Sequence, residues 1–277
     1  MIPAGRAFFK MSGSGNDFVM VDARSEPPGE LAKAEVIGRV CSRATGVGAD
    51  GIVFLEASDV ADVRLTYLNS DGSRADLCGN ATLCTTRLSI ELGIGSPKGF
   101  SIETDSGVVA ARLAGSLPEI DLPPVVEVRP IADGIDPTLG ERRIGFALVG
   151  VPHLVIGCDD VATVDVVGRG RPLRRHRSLP FGANVNFVSP EIGTGRWRMR
   201  TYERGVEAET LACGSGSVAA AILLTSWSDD SGSANTVELV TSSGNPLRVT
   251  IRRESNSWFP TLRGEGRVVF RGELSEI

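Results

Sequence analysis

Two stretches of this sequence place a cysteine directly before a run of small and apolar residues. In the stretch nearer the carboxyl terminus, Cys213 precedes Gly214 and Ser215, and the apolar run from Val218 to Leu224 follows. This run predicts a buried helix that begins just after Cys213. Free backbone N–H groups and the positive end of the helix dipole meet at such a position, which favours an anion and lowers the pKa of a thiol.

The stretch nearer the amino terminus repeats this arrangement. Cys78, Gly79 and Asn80 follow a polar turn, and leucine and isoleucine residues recur after them as far as Leu92. A Ser-Gly turn and a β-rich run follow each predicted helix, which indicates a weak internal repeat. Two thiols at two helix ends predict an acid–base pair that acts on opposite faces of one carbon atom.

Length and charge limit the class of protein. A chain of 277 residues has room for two domains of roughly 100–200 residues each. The net charge of −5 and the lack of a long basic run argue against a nucleic-acid partner. The sequence has no apolar stretch near the roughly 18 residues of a membrane span and no signal-peptide pattern at its start. We therefore expect a cytoplasmic protein without a membrane partner.

The cysteine and histidine content limits redox and metal chemistry. The five cysteines are odd in number and scattered, so we expect no disulfide framework, and Cys41, Cys84 and Cys158 are expected to pack as small apolar residues. The sequence has no C-x-x-C pair and only two histidines, His153 and His176. We therefore expect no metal site.

Polar residues also occur at turns and along one predicted strand. Phe8 to Asp22 predicts a strand, a glycine-rich turn and a strand, and Asn16 lies at the turn's exit as a hairpin residue or as a ligand contact. Gly13 and Gly15 in this turn would let the backbone approach a ligand closely. The local sequence around His153 favours a buried structural histidine over a site residue. Asn184 and Asn186 alternate with apolar residues, so both amides face one side of a strand and indicate either ligand contacts or an edge strand.

Together these motifs resemble the diaminopimelate epimerase family. The most specific match is Glu203-Arg204-Gly205 combined with the block Thr210-Leu211-Ala212-Cys213-Gly214-Ser215-Gly216. The other matches follow the family order over nearly the whole chain and comprise Lys10-Met11, Gly15-Asn16-Asp17-Phe18, Asn69, Asp71-Gly72, Cys78-Gly79-Asn80, Pro152-His153 and Asn184.

The resemblance implies a fold, a domain organisation and an activity. The fold is α/β (α+β), with two pseudo-symmetric domains, each a curled β-sheet around a central helix, and an active site between them. We place the domains at 1–125 and 126–265, with the terminal strand 266–277 returning to the first. The implied enzyme is a homodimeric isomerase that interconverts LL- and meso-diaminopimelate in lysine and peptidoglycan precursor synthesis. It uses no pyridoxal phosphate, metal or nucleotide cofactor.

The resemblance also implies roles for particular residues. Cys78 and Cys213 match the two catalytic cysteines, one a thiolate base and the other a thiol acid. His153 and Glu203 match groups that assist thiol ionisation, which reverses the structural interpretation of His153. Arg204 suits a bidentate contact with a substrate carboxylate. The implied substrate contacts are Asn16, Asn69, Gly79, Asn80, Asn184, Glu203, Arg204, Gly214 and Ser215.

Five positions depart from the family pattern, and one of them, Ala208, lengthens the loop before Cys213 by one residue. Ser12 stands where histidine is frequent, Ala81 replaces a glycine, Leu83 replaces a common arginine, and Val151 replaces a substrate-binding asparagine. These departures affect the identity of the substrate more than the proton transfer. The nearest alternative is a cofactor-independent racemase or epimerase of another amino acid, such as histidine or proline, on the same fold.

Two further alternatives belong to other classes of protein. A thiol hydrolase or redox enzyme would use Cys213 alone, but no third group is evident that would orient His153, and the C-x-x-C pair is missing. A non-catalytic amino-acid-binding protein would need neither Cys78 nor Cys213. Both alternatives therefore leave one or both of the cysteine-headed helices unexplained.

Overall fold

The computed structural model describes residues 5–75, 77–228 and 234–275. The chain divides into two compact units: the first comprises Met1–Asp121 with Arg263–Ile277, and the second comprises Leu122–Leu262. The last two residues of the predicted terminal strand 266–277 lie outside the described residues. Within the described parts of the chain, no helix is both long and apolar enough to cross a membrane.

The first unit is a mixed sheet with two helices. Its elements, numbered in chain order, are β1 (Arg6–Gly13), β2 (Asn16–Asp22), α1 (Ala34–Cys41), β3 (Gly51–Glu56), β4 (Val63–Asn69), α2 (Gly79–Glu91), β5 (Phe100–Thr104), β6 (Gly107–Ala114), β7 (Leu117–Asp121) and, from the end of the chain, β17 (Arg267–Leu274). Strand β17 pairs antiparallel with β1.

The second unit is built from the remaining elements. They are β8 (Val128–Arg129), β9 (Glu141–Val149), β10 (Val151–Cys158), α3 (Val166–Arg174), β11 (Asn184–Pro190), β12 (Trp197–Glu203), β13 (Ala208–Thr210), α4 (Gly214–Trp227), β14 (Ala234–Val240), β15 (Pro246–Glu254) and β16 (Ser257–Arg263), which ends at the unit boundary.

The two units repeat one order of strand pairings. In the first unit the pairs from β1–β2 to β5–β6 alternate antiparallel, parallel, antiparallel, parallel, antiparallel. In the second unit the pairs β9–β10, β10–β11, β11–β12, β12–β14 and β14–β15 follow the same order. The predicted internal repeat and fold class are therefore confirmed.

Each unit has one amphipathic helix and one central helix. Val19, Val21, Ile52 and Phe54, which alternate along β2 and β3, pack with α1 into one core cluster. Leu154, Ile156, Val185 and Phe187 of the second unit belong to the equivalent cluster with α3. By contrast, α2 and α4 are buried on nearly every side over most of their length, as expected for helices that a curled sheet surrounds.

Candidate active site

Cys78 is the residue that precedes helix α2 in the first unit. Its backbone is extended, and its carbonyl accepts hydrogen bonds from the N–H and the hydroxyl of Thr82, both at 2.9 Å. Cys78 is therefore the N-cap of α2, as the sequence predicts. The half-buried thiol lies where the helix has free N–H groups and the positive end of its dipole.

Two predicted ligand residues of the first unit belong to a chain of side-chain hydrogen bonds. Asn80, in the first turn of α2, is 1% exposed and donates from Nδ2 to Asn16 Oδ1 at 2.6 Å. Asn16 in turn donates to Asp50 Oδ2 at 2.9 Å. Among the described residues, Asn80 Oδ1 has no hydrogen-bond partner. The structure therefore brings Asn16 and Asn80 together beside Cys78.

A network of ion pairs surrounds the Asp50 end of this chain of hydrogen bonds. Arg43 bridges Asp17 and Asp50 with ion pairs of 2.8 and 2.7 Å, and Lys10 contacts Asp17 at 2.6 Å. Burial acts to raise the pKa of Asp17, but hydrogen bonds from Arg43 and Lys10 outweigh it and hold that pKa below its usual range. The ion pair with Arg43 thus fixes the Asp50 carboxylate that accepts from the Asn16 amide.

Asn69 lies at the end of β4, on the turn that precedes Cys78. Its side chain donates to Ser73 Oγ at 3.0 Å, so it helps to order its own turn. The next residue, Ser70, donates from its backbone N–H to the Asp50 carbonyl at 3.0 Å. This backbone contact ties the Asn69 turn to the residue that holds Asn16.

The glycine-rich turn after β1 has a packing role that the sequence did not reveal. A Cβ atom on Gly13 would lie 2.8 Å from the Asn80 carbonyl oxygen and 2.9 Å from Cys84 Sγ. Strand β1 therefore approaches the start of α2 so closely that only glycine fits. The sequence predicts that Gly13 allows the approach of a ligand, and the structure shows that it also allows the approach of the helix.

Cys213 is the N-cap of helix α4 in the second unit. Its Sγ accepts a hydrogen bond from the Gly216 N–H at 3.3 Å, and its carbonyl accepts from the N–H and the hydroxyl of Ser217. The Ser215 hydroxyl lies 3.7 Å from the same sulfur atom. An N–H donor that points at sulfur stabilises a thiolate more than a thiol. Gly214 and Ser215, which are predicted to contact the substrate, form the start of α4 directly after Cys213.

Arg204 and Asn184 lie at neighbouring strand ends of the second unit. Asn184 Oδ1 accepts from the Arg204 backbone N–H at 2.7 Å, and the Arg204 guanidinium donates to the Phe181 carbonyl at 3.0 Å. Glu203 is the last residue of β12 and precedes Arg204 directly. The structure therefore groups Asn184, Glu203 and Arg204 at one edge of the unit.

His153 is completely buried on β10, beside Asn184 in the register of the parallel strand β11. Burial lowers the pKa of His153 to about 3, the positive charge of Arg204 acts in the same direction, and the Val149 carbonyl opposes them. The ring is therefore neutral near neutral pH. The predicted help of His153 in thiol ionisation would therefore come from a neutral ring.

The buried neutral histidine predicts a pH dependence of stability. Because the folded protein does not protonate His153 until about pH 3, whereas a free histidine does so near 6.5, folding is progressively disfavoured as the pH falls through this window. The loss approaches about 1.4 kcal/mol per pH unit. Urea unfolding of wild type and His153→Asn between pH 7 and pH 4 tests this, since the variant should lose less stability. Parallel curves for the two proteins would contradict it.

The sequence analysis did not identify two neighbours of the predicted site residues, and it placed a third, Asn186, only on one face of a strand. Asp50 and Arg43 lie in the charged network beside Asn16, and Asn186 contacts His153. In the sequence, only the alternation with Asn184 pointed to Asn186. Only its position in a glycine-rich turn pointed to Asp50. In the described part of the chain, no group of three or more His, Cys, Asp or Glu side chains is placed to hold a metal ion.

Most of the chain matches proteins of known families. The family model described as "Diaminopimelate epimerase" matches residues 8–118 and 145–268. A diaminopimelate epimerase of Gemmatimonas aurantiaca is 50% identical over 280 residues, which cover 98% of this chain and 100% of that protein.

Solved structures with low sequence identity share the fold. A Bacillus anthracis phenazine biosynthesis protein of the PhzF family superposes with a TM-score of 0.76 at 16% identity, covering 97% of this chain and 98% of the other. A probable proline racemase from Agrobacterium radiobacter has a TM-score of 0.71 at 16% identity, covering 98% of this chain and 93% of the other. At such low identity these two likenesses concern the fold alone.

Proposed function

Because the chain belongs to the diaminopimelate epimerase family, we propose that it interconverts LL- and meso-2,6-diaminopimelate with Cys78 and Cys213, one of which removes the α-proton while the other delivers a proton to the opposite face of the carbon. The observation that carries this proposal is the repeated placement of a cysteine at the N-cap of a central helix, once in each unit. Inversion without a cofactor needs a base on one face of the carbon and an acid on the other. One cysteine from each half of the repeat supplies such a pair.

The proton transfer has two steps. The thiolate of one cysteine takes the α-proton from the substrate, and the electron pair of the broken C–H bond is delocalised into the α-carboxylate. The thiol of the other cysteine then delivers its proton to the opposite face of the carbon. At the end the first cysteine is a thiol and the second is a thiolate, so the reverse reaction uses the same groups in exchanged roles.

The helix ends stabilise the charge that develops during this transfer. The negative charge moves first from sulfur to the substrate carboxylate and then to the second sulfur. The N–H groups in the first turns of α2 and α4 are fixed dipoles that need no reorganisation as the charge moves. The hydrogen bond from Gly216 to Cys213 Sγ is one such contact in the second unit.

The family resemblance supports a role in lysine and peptidoglycan precursor synthesis for a cytoplasmic homodimer. The dimer is tested by light scattering of the purified protein, where the mass of a single chain at working concentration would contradict it.

The activity is tested with purified protein and LL-diaminopimelate. Chromatographic separation of the stereoisomers should show conversion to the meso form until an equilibrium mixture is reached from either side. Proline and histidine are included as competing substrates and should remain unchanged. If either of them is inverted and diaminopimelate is not, the proton-transfer chemistry stands but the proposed substrate is wrong.

Arg204 gives a prediction about substrate binding. We expect Arg204→Lys to raise KM for diaminopimelate by about 10–100-fold with a smaller effect on kcat, because lysine cannot make a planar bidentate contact with a carboxylate. The matched control is Arg171→Lys on the exposed part of α3, which should leave both constants unchanged. Steady-state kinetics of the three proteins decide, and an unchanged KM in Arg204→Lys would remove Arg204 from the substrate site.

A further inference from the structure

A cluster of buried polar residues lies next to the first turn of α4. It consists of His153, Asn186 and Thr201, which are each 0–2% exposed, and the backbone carbonyl of Leu154. A fully buried amide is costly to leave without hydrogen bonds, so its partners determine its orientation. Asn186 contacts each of the other members.

The orientation of the Asn186 amide follows from two of these contacts. The Leu154 carbonyl, at 2.9 Å, can only accept a hydrogen bond, so the NH2 group of Asn186 faces it. The Thr201 hydroxyl donates to Asn186 Oδ1 at 3.0 Å on the other side. The amide is therefore held by a donor and an acceptor on different strands.

The oxygen of this amide lies directly against the turn that carries the Cys213 contact. A Cβ atom on Gly216 would be only 2.3 Å from Asn186 Oδ1 and 3.1 Å from Cys213 Sγ. The Gly216 N–H is the donor to Cys213 Sγ. Displacement of the Asn186 amide would thus move Gly216 and change the hydrogen bond to the sulfur.

The nitrogen of the amide faces the histidine ring. Asn186 Nδ2 lies 3.3 Å from His153 Nδ1, and an amide N–H there requires an unprotonated Nδ1 as acceptor. A neutral His153 then carries its proton on Nε2. The amide thus selects the tautomer that offers an N–H at Nε2.

From these contacts we propose that Asn186 is a positioning residue for Cys213, which sets the Gly216 N–H against the sulfur and fixes the His153 tautomer. The proposal rests on the proposed catalytic role of Cys213. Asn186 acts through Gly216 and His153 and does not itself touch the reacting atoms. Its loss should therefore affect the chemical step more than the binding of substrate.

The first test uses Asn186→Asp and Asn186→Ser. Aspartate keeps the shape and the acceptor for Thr201 but places an oxygen against the Leu154 carbonyl and His153 Nδ1, so both contacts become repulsive or need a proton. Serine is too short for either contact and adds no charge. We expect kcat for diaminopimelate to fall by about 10–100-fold in both variants with little change in KM.

The matched control is Ser189→Ala on the same strand. Ser189 is 1% exposed, and its hydroxyl accepts a hydrogen bond from the Val161 N–H, so its removal also costs a buried hydrogen bond. A purely structural effect would lower the yield or the melting temperature of Asn186 and Ser189 variants alike. A positioning role of Asn186, by contrast, predicts that the pKa of Cys213 changes in the Asn186 variants and not in Ser189→Ala.

The decisive readout is the pH titration of the Cys213 thiolate by its ultraviolet absorbance. This method needs no reagent to reach the sulfur, and the residue as a whole is only 7% exposed. The titration uses Cys78→Ala protein, and the spectrum of Cys78→Ala/Cys213→Ala is subtracted to remove the buried thiols. We expect the midpoint to rise in both Asn186 variants and to stay constant in Ser189→Ala. An unchanged midpoint in the Asn186 variants would overturn the proposal, even if kcat falls.

A measurement on the wild type covers the case in which the variants do not fold. NMR shifts of the ring nitrogens in isotope-labelled histidine should show His153 protonated on Nε2, with His176→Gln used to assign the signals. Protonation on Nδ1 would overturn the proposal. Both readouts are independent of turnover, so a failure of Cys213 as a catalytic group would be seen separately, as full activity in Cys213→Ala.

Discussion

Replacing either Cys78 or Cys213 with alanine is expected to lower kcat for epimerisation by about 10²–10⁴-fold, because each variant keeps only one partner of the acid–base pair. The loss should be seen with LL- and with meso-diaminopimelate, since each cysteine is needed in both directions. The serine variants should be nearly as inactive, because a hydroxyl group is far less acidic than a thiol. Steady-state assays in both directions measure the effect.

The other cysteines of the chain provide matched controls. Burial raises the pKa of Cys41 to about 11 and that of Cys158 to about 12, so neither is a reactive thiol near neutral pH. Cys41→Ala in the first unit and Cys158→Ala in the second should keep kcat close to that of the wild type. Full activity in Cys78→Ala or in Cys213→Ala would show that two thiols are not required.

Gly216→Ala is expected to cause the second large loss. The new methyl group would lie 2.3 Å from Asn186 Oδ1 and 3.1 Å from Cys213 Sγ, so the first turn of α4 must shift. A shift of this size moves the N–H that contacts the sulfur, and we expect kcat to fall by about 100-fold. Overpacking should also lower the free energy of unfolding by about 1–3 kcal/mol.

A second glycine in the same unit separates this effect from the general cost of an added methyl group. A Cβ atom on Gly157 of β10 would meet its nearest neighbour, the Trp227 ring, at 3.7 Å, which is an ordinary contact. Gly157→Ala should therefore retain activity and stability. Equal losses of kcat in the two variants, measured beside urea unfolding, would show that the site at Gly216 is not specially constrained.

The sequence predicted the two helix ends because their signal is local. A cysteine, a glycine and a buried run of small residues are adjacent in the chain, so the placement of Cys78 and Cys213 as N-caps does not depend on any distant contact. The internal repeat is predictable for the same reason, since each half carries the motif and the β-rich run that follows it.

The groups around the helix ends depend on strand register, which the local sequence does not determine. His153 lies beside Asn184, and Asn186 beside Val155, only because β10 and β11 pair in parallel in this register. A slip of one residue would turn Asn186 to the other face of the sheet. The approach of Asp50 to Asn16 likewise depends on the parallel pairing of β2 and β3.

Gly13 shows that a glycine in a recognised motif can have a packing role that the sequence does not reveal. The turn after β1 matched the family pattern, and its glycines suggested the approach of a ligand. The structure also places Gly13 against the Asn80 carbonyl and Cys84 Sγ, so its lack of a side chain serves helix packing as well. Close approaches between distant segments of this kind are visible only once the fold is known.

The most direct test of the two-thiol mechanism is a single-turnover reaction of LL-diaminopimelate in deuterated water. Because one thiol removes the substrate proton and the other thiol delivers a proton exchanged with solvent, the first meso product should carry deuterium at the inverted carbon. The unreacted LL substrate should still carry hydrogen at that stage. A first product that retains the hydrogen of the substrate would mean that one group both removes and returns the proton, which would contradict the mechanism.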